Sequence, residues 1–264
     1  MKKIVVSGAL GKMGQEVVKL VDRTEEFELV GAVDVDKIGE DINEVLNLEE
    51  SSAEISDNLA ATLEQVEVDT VVDFTTPQII MDNIRTVSEA GINMVVGTTG
   101  ITEADLSEVE ELTEQNNNNV IIAPNFAIGA ILMMEFSKKA AKFLDDVEII
   151  EQHHDAKLDA PSGTAIKTAE LIEENLTAKE DSCEEIEKLA GARGAEKDGI
   201  NIHSVRLPGL VAHQEVLFGG EGQTLKLRHD SINRRSFMPG VKLAINKIDG
   251  IDGLVYGLDN LIEL

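Results

Sequence analysis

Five short aliphatic runs, KKIVVSG, ELVGAVD, VDTVVDFT, INMVVGTTG and NVIIAPN, each stop at Gly, Asp, Thr or Pro, and the stretches between them carry helical spacing. Runs that are apolar at consecutive positions suit strands of a parallel sheet, which helices cover on both faces. Met13, Val17, Leu20 and Val21 follow the first run at i, i+4, i+7 and i+8, one face of a helix, and TPQIIMDNIRTVSEAG and TEADLSEVEELTEQN fill later intervals. Such alternation specifies an α/β fold with a Rossmann-type doubly wound parallel sheet, whose ligands lie beyond the carboxyl ends of its strands.

Beyond Phe126 the pattern changes. A helical stretch from Ile128 to Phe143 leads to VEIIEQHH, then to a helix from Ala165 to about Leu176, and then to INIHSVRL, LVAHQEVLFGG and QTLKLRHDS, which read as antiparallel strands with glycine turns. The expectation is a first domain over residues 1–126 and an α+β domain with a mixed or antiparallel sheet over 127–234. The stretch 235–264 regains helix-then-apolar character and packs back on the first domain.

Fifty acidic against 23 basic residues give a formal charge of −27, which repels nucleic acid and anionic membranes. This density of carboxylates has two readings, a solvated surface without special purpose or an adaptation to concentrated salt. The one cysteine, Cys183, excludes an internal disulfide, and MKKIVVSGALGKMG breaks into glycines before any leader-like apolar run forms. A cytoplasmic protein without a membrane span is expected.

The first run opens onto VVSGALGKMGQEVV, with Gly8, Gly11 and Gly14 between strand and helix and Asp34 about twenty residues further on, at the end of the second strand. In a dinucleotide site the loop from Gly8 through Ala9, Leu10, Gly11, Lys12 and Met13 wraps a pyrophosphate, and the carboxylate accepts from the adenosine ribose. A purely structural turn is the other reading, since the first glycine interval is one residue wider than G-x-G-x-x-G. GTTGIT, with Gly97, Thr98 and Thr99, and APNFAIG, with Ala123, Pro124, Asn125 and Phe126, each follow a strand and fall at the same carboxyl edge. They are ordinary loop chemistry or the neighbours of a nicotinamide.

In EQHHDAKLDAPSGTA two histidines and a lysine precede a small-residue turn. If VEIIEQHH is a strand, His153 shares a face with Glu151 and Ile149, and His154 shares one with Gln152, so both address one ligand only where the strand ends. Adjacent histidines chelate poorly and no Cys or carboxylate set accompanies them, so no metal site is expected. APSGTA opens a helix whose Gly163 and Thr164 N–H groups either hold a carboxylate or form a plain N-cap. His203, Arg206, His213, Arg228 and His229 alternate along the later strands, as satisfied polar residues or as pocket lining. A semialdehyde dehydrogenase would need a nucleophilic cysteine, and the carboxylates around Cys183 raise rather than lower a thiol pKa. A nicotinamide-sensing module would keep the glycine loop and have no use for His153 and Lys157.

SGALGKMG, DFTTP, VVGTTG, APNFAIG, EQHHDAKLDAPSGTA, HSVRLPGLVAHQEVLFGGEGQTLKLRHDS and RRSFMPGVKLAI, in this order, resemble the 4-hydroxy-tetrahydrodipicolinate reductases, also called dihydrodipicolinate reductases, over essentially the whole chain. The resemblance implies reduction of a small cyclic dicarboxylate to tetrahydrodipicolinate with loss of water, in diaminopimelate and lysine biosynthesis. It makes His153 the proton donor, Lys157 its helper or a carboxylate anchor, and His154 a substrate contact. It also makes residues 1–126 the dinucleotide-binding domain and 127–234 the substrate-binding domain, through whose sheet a homotetramer forms. Many relatives place Arg or Lys directly after the acid at the second strand's end. Here that residue is Val35, so NADH is expected to be preferred, with NADPH accepted through Lys12 or Lys37.

Overall fold

A computed structural model of the chain describes residues 1–176 and 186–262. Two compact units divide it, Met1–Phe126 with Phe237–Leu264, and Ala127–Ser236. Unit 1 contains β1 (Lys2–Ser7), α1 (Gly14–Asp22), β2 (Phe27–Val33), α2 (Ile42–Leu46), β3 (Ile55–Ser56), α3 (Leu59–Gln65), β4 (Thr70–Asp73), α4 (Ile80–Glu89), β5 (Asn93–Val96), α5 (Glu103–Asn116) and β6 (Val120–Ile122). Unit 2 follows with α6 (Ile128–Ala140), β7 (Asp146–His153), α7 (Gly163–Glu173), β8 (Ala195–Lys197), β9 (Ile200–Arg206), β10 (Ala212–Gly220) and β11 (Gln223–Ser231), after which α8 (Met238–Lys247) and β12 (Leu254–Tyr256) return to unit 1.

The sheet of unit 1 has seven strands in the order β12-β6-β5-β4-β1-β2-β3, and every pairing in it is parallel. Its central strands are buried on both faces, with Val5, Val71, Met94, Val96 and Val120 in one cluster with Ile80, Ile84 and Val109 of the covering helices. The order reverses between β1 and β4, so the glycine loop after β1 opens at the switch point where such sheets bind nucleotides. The C-terminal stretch closes this sheet: β12 pairs with β6, and Lys2 Nζ donates to the Ile245 carbonyl at 2.6 Å and to Asp249 at 2.9 Å.

Unit 2 is a five-stranded sheet ordered β11-β10-β7-β9-β8. Most of its pairings are antiparallel, as expected, but β7 and β9 are parallel. Helix α7 forms the crossover between them, the element that allows two neighbouring strands to point the same way. It begins at Gly163, two residues ahead of the apolar spacing, because the Ser162 hydroxyl caps it by accepting from the Ala165 N–H at 3.3 Å. Below this end, Ile149, Ile202 and Val216 form an apolar row across β7, β9 and β10 and pack with Ala165, Ala169 and Ile172.

Candidate active site

In unit 1 the chain leaves β1 through Gly8, whose φ is +77° and whose hypothetical Cβ would stand 2.5 Å from the Phe74 carbonyl oxygen. A Cβ on Gly14 would stand 1.8 Å from the Gly8 carbonyl oxygen, so only glycine lets α1 start this close to the strand. No side chain caps α1, which leaves the N–H groups at the positive end of its dipole turned to the loop. A strand, a glycine turn and an uncapped helix are the donor set that a pyrophosphate needs.

Asp34 has a role not foreseen in the sequence: its Oδ2 accepts from the Leu10 N–H at 2.7 Å and its Oδ1 from the Asp36 N–H at 3.2 Å. The acid thereby fixes the middle of the glycine loop. Val35 is 78% exposed, and Lys37 Nζ lies 3.3 Å from Glu40, whereas Lys12 is exposed in the loop itself. GTTGIT and DFTTP meet at a fully buried carboxylate, Asp73. Its Oδ1 accepts from the Thr75 N–H and hydroxyl at 3.0 and 2.7 Å and from the Thr98 hydroxyl at 2.7 Å, and its Oδ2 accepts from Asn83 Nδ2 at 2.8 Å. These bonds replace the water an unpaired buried carboxylate loses, and they lock the ends of β4 and β5 together. Phe126, at the end of APNFAIG, stacks at a tilt on Phe74 with ring centroids 5.7 Å apart. The expected cofactor residues from all three loops therefore lie at one carboxyl edge of the sheet.

In unit 2 the sheet's apolar row gives way, one pleat further along, to Glu151, Ser204 and Gln214, which occupy matched positions on β7, β9 and β10, and then to His153 and Arg206. His153 Nδ1 lies 2.6 Å from Glu151 Oε2, as the shared strand face requires. Glu151 is fully buried, and Arg206 grips it bidentately with Nη1–Oε2 at 2.9 Å and Nη2–Oε1 at 2.8 Å. Burial pushes the Glu151 pKa up, but hydrogen bonds from Arg206, Ser204 and His153 outweigh it, and its carboxyl is held below the usual range. Burial also pushes His153 below its ordinary value; the Glu151 carboxylate opposes this, and the positive charges of Lys157 and Arg206 add to it.

Glu151 Oε1 also accepts from the Ser162 N–H at 3.2 Å, which ties the cap of α7 to the same carboxylate. A second tie comes from Gln214, whose Nε2 donates to the Thr168 hydroxyl at 2.7 Å, and Thr168 in turn donates to the Thr164 carbonyl at 2.7 Å. Nothing stands within 4 Å of the place a Cβ on Gly163 would take, so the first turn of α7 opens outward. Lys157 Nζ is held by both oxygens of Asp159, at 2.7 and 2.8 Å, and its backbone N–H donates to the His154 carbonyl at 3.2 Å. His154 is exposed at the end of β7.

His153, His154, Lys157, Gly163 and Thr164 thus gather at the carboxyl end of β7 and the start of the helix that follows it. Arg206 joins them from β9 as the partner of Glu151. His203 bonds Glu148 at 2.9 Å, His213 bonds Asp230 at 2.6 Å, and Arg228 bonds Asp230 and Glu215, so these three are satisfied polar residues. His229 lies against Gly129 of α6. Glu151 was the residue to find: a carboxylate on the core-facing register of a strand signals a buried partner. No cluster of three or more His, Cys, Asp or Glu able to hold a metal occurs among the described residues, outside which Cys183 lies.

Comparison with known proteins identifies the family. The family models for the N-terminus and C-terminus of dihydrodipicolinate reductase match residues 2–126 and 129–262. The 4-hydroxy-tetrahydrodipicolinate reductases of Bacillus cereus and Bacillus anthracis are each 53% identical over 262 residues, covering 99% of this chain and 98% of theirs. Among solved structures, dipicolinate-bound dihydrodipicolinate reductase from Paenisporosarcina sp. TG-14 is 48% identical with a TM-score of 0.89, over 99% of this chain and 100% of that one. The chain belongs to the dihydrodipicolinate reductase family.

Proposed function

We propose that the chain reduces 4-hydroxy-tetrahydrodipicolinate to tetrahydrodipicolinate with loss of water, using NADH or NADPH, in diaminopimelate and lysine biosynthesis. The observation that carries this reading is the convergence of an acid, a cation and an open helix start at one end of β7. The dipicolinate in the Paenisporosarcina relative is a ligand of the required class, a planar ring with two carboxylates.

The Gly163 and Thr164 N–H groups receive one carboxylate at the positive end of α7, and Lys157 meets a carboxylate by exchanging Asp159 for it. His154, exposed beside them, adds a contact. The reduced nicotinamide, when bound, supplies a hydride. Departure of the 4-hydroxyl as water leaves a conjugated imine, which gains an electron pair with the hydride, and His153 gives up a proton to quench the charge. Burial, which lowers the His153 pKa, makes its imidazolium a stronger acid.

In unit 1 the loop Gly8–Met13 holds the pyrophosphate, Asp34 the adenosine ribose, and Gly97, Thr98, Thr99 and Ala123 to Phe126 flank the nicotinamide. An acid followed by Val35 favours NADH, while Lys12 keeps NADPH usable. A homotetramer joined through the sheet of unit 2 is supported by β11, a nine-residue edge strand exposed along most of its length. A cytoplasmic setting accords with a reductase that draws on reduced nicotinamide, and no helix among the described residues is long and apolar enough to cross a membrane.

The test is turnover of the purified chain with freshly generated 4-hydroxy-tetrahydrodipicolinate and each reduced nicotinamide in turn. Oxidation of the nicotinamide that depends on the heterocycle is expected. Tight NADH binding without turnover would instead identify a sensing module.

A further inference from the structure

The buried carboxylate beneath His153 makes more contacts than an ion pair with Arg206 needs. Oε2 faces His153 Nδ1 at 2.6 Å and Arg206 Nη1 at 2.9 Å, while Oε1 accepts from Arg206 Nη2 at 2.8 Å and from the Ser162 N–H at 3.2 Å. Arg206 Nη2 continues to the Asp159 carbonyl at 2.7 Å, on the loop that carries Lys157. Each arm therefore ends on a different part of the proposed substrate site.

We propose that Glu151 is a positioning residue that couples the proton donor to the carboxylate cradle, fixing the His153 tautomer with one oxygen and the start of α7 with the other. The inference rests on His153 being the acid. With Glu151 ionised, the proton on Nδ1 is retained as a donor to Oε2, so the proton that His153 gives up is the one on Nε2. The ring returns to the same Nδ1–H tautomer after each turnover. Through Ser162 the same carboxylate sets where the Gly163 and Thr164 N–H groups point, so donor and cradle are held in one register.

A glutamine at this position has the right shape and the wrong chemistry. Its single carbonyl oxygen cannot serve both arms, and if its amide faces Nδ1 it donates where the carboxylate accepted, which opposes formation of the imidazolium. The charged groups around His153 act in the same direction. Glu151 on its own strand raises its pKa, whereas Arg206 on β9 and Lys157 in the loop lower it, with Asp159 paired to Lys157; on β10 the opposing residue is Ala212, and the first turn of α7 brings no charge. Loss of the carboxylate leaves the lowering groups unopposed.

The experiment measures pH profiles of kcat, substrate KM and NADH affinity for wild type, Glu151→Gln, His153→Gln and the double variant Glu151→Gln/Arg206→Met. The double variant removes both buried charges together, so its fold does not have to tolerate an orphaned guanidinium. Nitrogen NMR of the wild-type ring reads the tautomer without any substitution. Expected are a neutral His153 protonated on Nδ1, and, in Glu151→Gln and the double variant, kcat lowered by about 10²-fold or more. Their alkaline limb moves to lower pH, substrate KM rises, and NADH affinity stays unchanged. A wild-type His153 protonated on Nε2 when neutral, or a folded double variant with an unmoved limb and unmoved KM, overturns the role of Glu151 while the activity stands. Near-normal turnover in His153→Gln instead overturns the assignment of the acid.

Discussion

Replacing Lys157 with alanine separates substrate binding from cofactor binding, and its size follows from the contacts of the ammonium group. Without substrate, Lys157 Nζ is bound to both oxygens of Asp159, whose side chain is 63% exposed. With Asp159 open to solvent, although the Lys157 side chain is only 21% exposed, such a pair is worth about 0.2–1 kcal/mol. A charge-assisted hydrogen bond to a substrate carboxylate contributes about 1.5–3 kcal/mol. The exchange of Asp159 for substrate therefore leaves a net gain of about 0.5–2.8 kcal/mol, or about 2–100-fold in substrate KM. Because the charge meets the dicarboxylate in the ground state and the transition state alike, kcat/KM falls with the rise in KM while kcat changes little. The same accounting makes Asp159→Asn a gain of function at low substrate, with KM lower by up to about 5-fold, since Lys157 then leaves a neutral partner rather than a charged one. Steady-state kinetics at saturating NADH, with NADH affinity measured separately by fluorescence titration, reads both variants. An unchanged substrate KM in Lys157→Ala together with weakened NADH binding would assign the lysine to the cofactor and refute the placement of the carboxylate.

His153→Gln is expected to lower kcat by about 10²–10⁴-fold in stopped-flow assays with little change in NADH affinity, the effect of losing a positioned acid. Val35→Arg should shift the ratio of kcat/KM values toward NADPH by about 1–3 kcal/mol; a wild type that already favours NADPH tenfold would show that Lys12 or Lys37 outweighs Asp34. If the charge of −27 is an adaptation to concentrated salt, the melting temperature rises from dilute buffer to molar KCl as carboxylate repulsion is screened, and a flat or falling trend removes that reading.

The strands of unit 1 were legible because Val and Ile at consecutive positions mark a surface buried on both faces, a signature that β1, β4, β5 and β6 carry and that the apolar end of β2, LVGAV, approaches. The two-residue β3, and β12, whose LVY is only partly buried, were not, since each is a strand by virtue of the neighbour it pairs with. The parallel pairing of β7 with β9 was hidden for a similar reason: strand direction depends on the α7 crossover in space, which alternation along the chain does not encode. At the site, His153, Lys157 and the Gly163–Thr164 turn stood out because they are neighbours in sequence. Glu151 was visible only as a member of the His153 face, and its partner Arg206 lies 55 residues away on another strand. Asp73 shared that fate, since its partners Thr98 and Asn83 come from separate elements.

The most direct test of the proposed site is a crystal structure of the chain with dipicolinate and NADH bound together. The expected result has one carboxylate on the Gly163 and Thr164 N–H groups, Lys157 turned from Asp159 to a carboxylate, and His153 Nε2 within hydrogen-bond distance of the ring, with Nδ1 still on Glu151. Dipicolinate seated away from α7, or His153 facing it through Nδ1, would contradict the account.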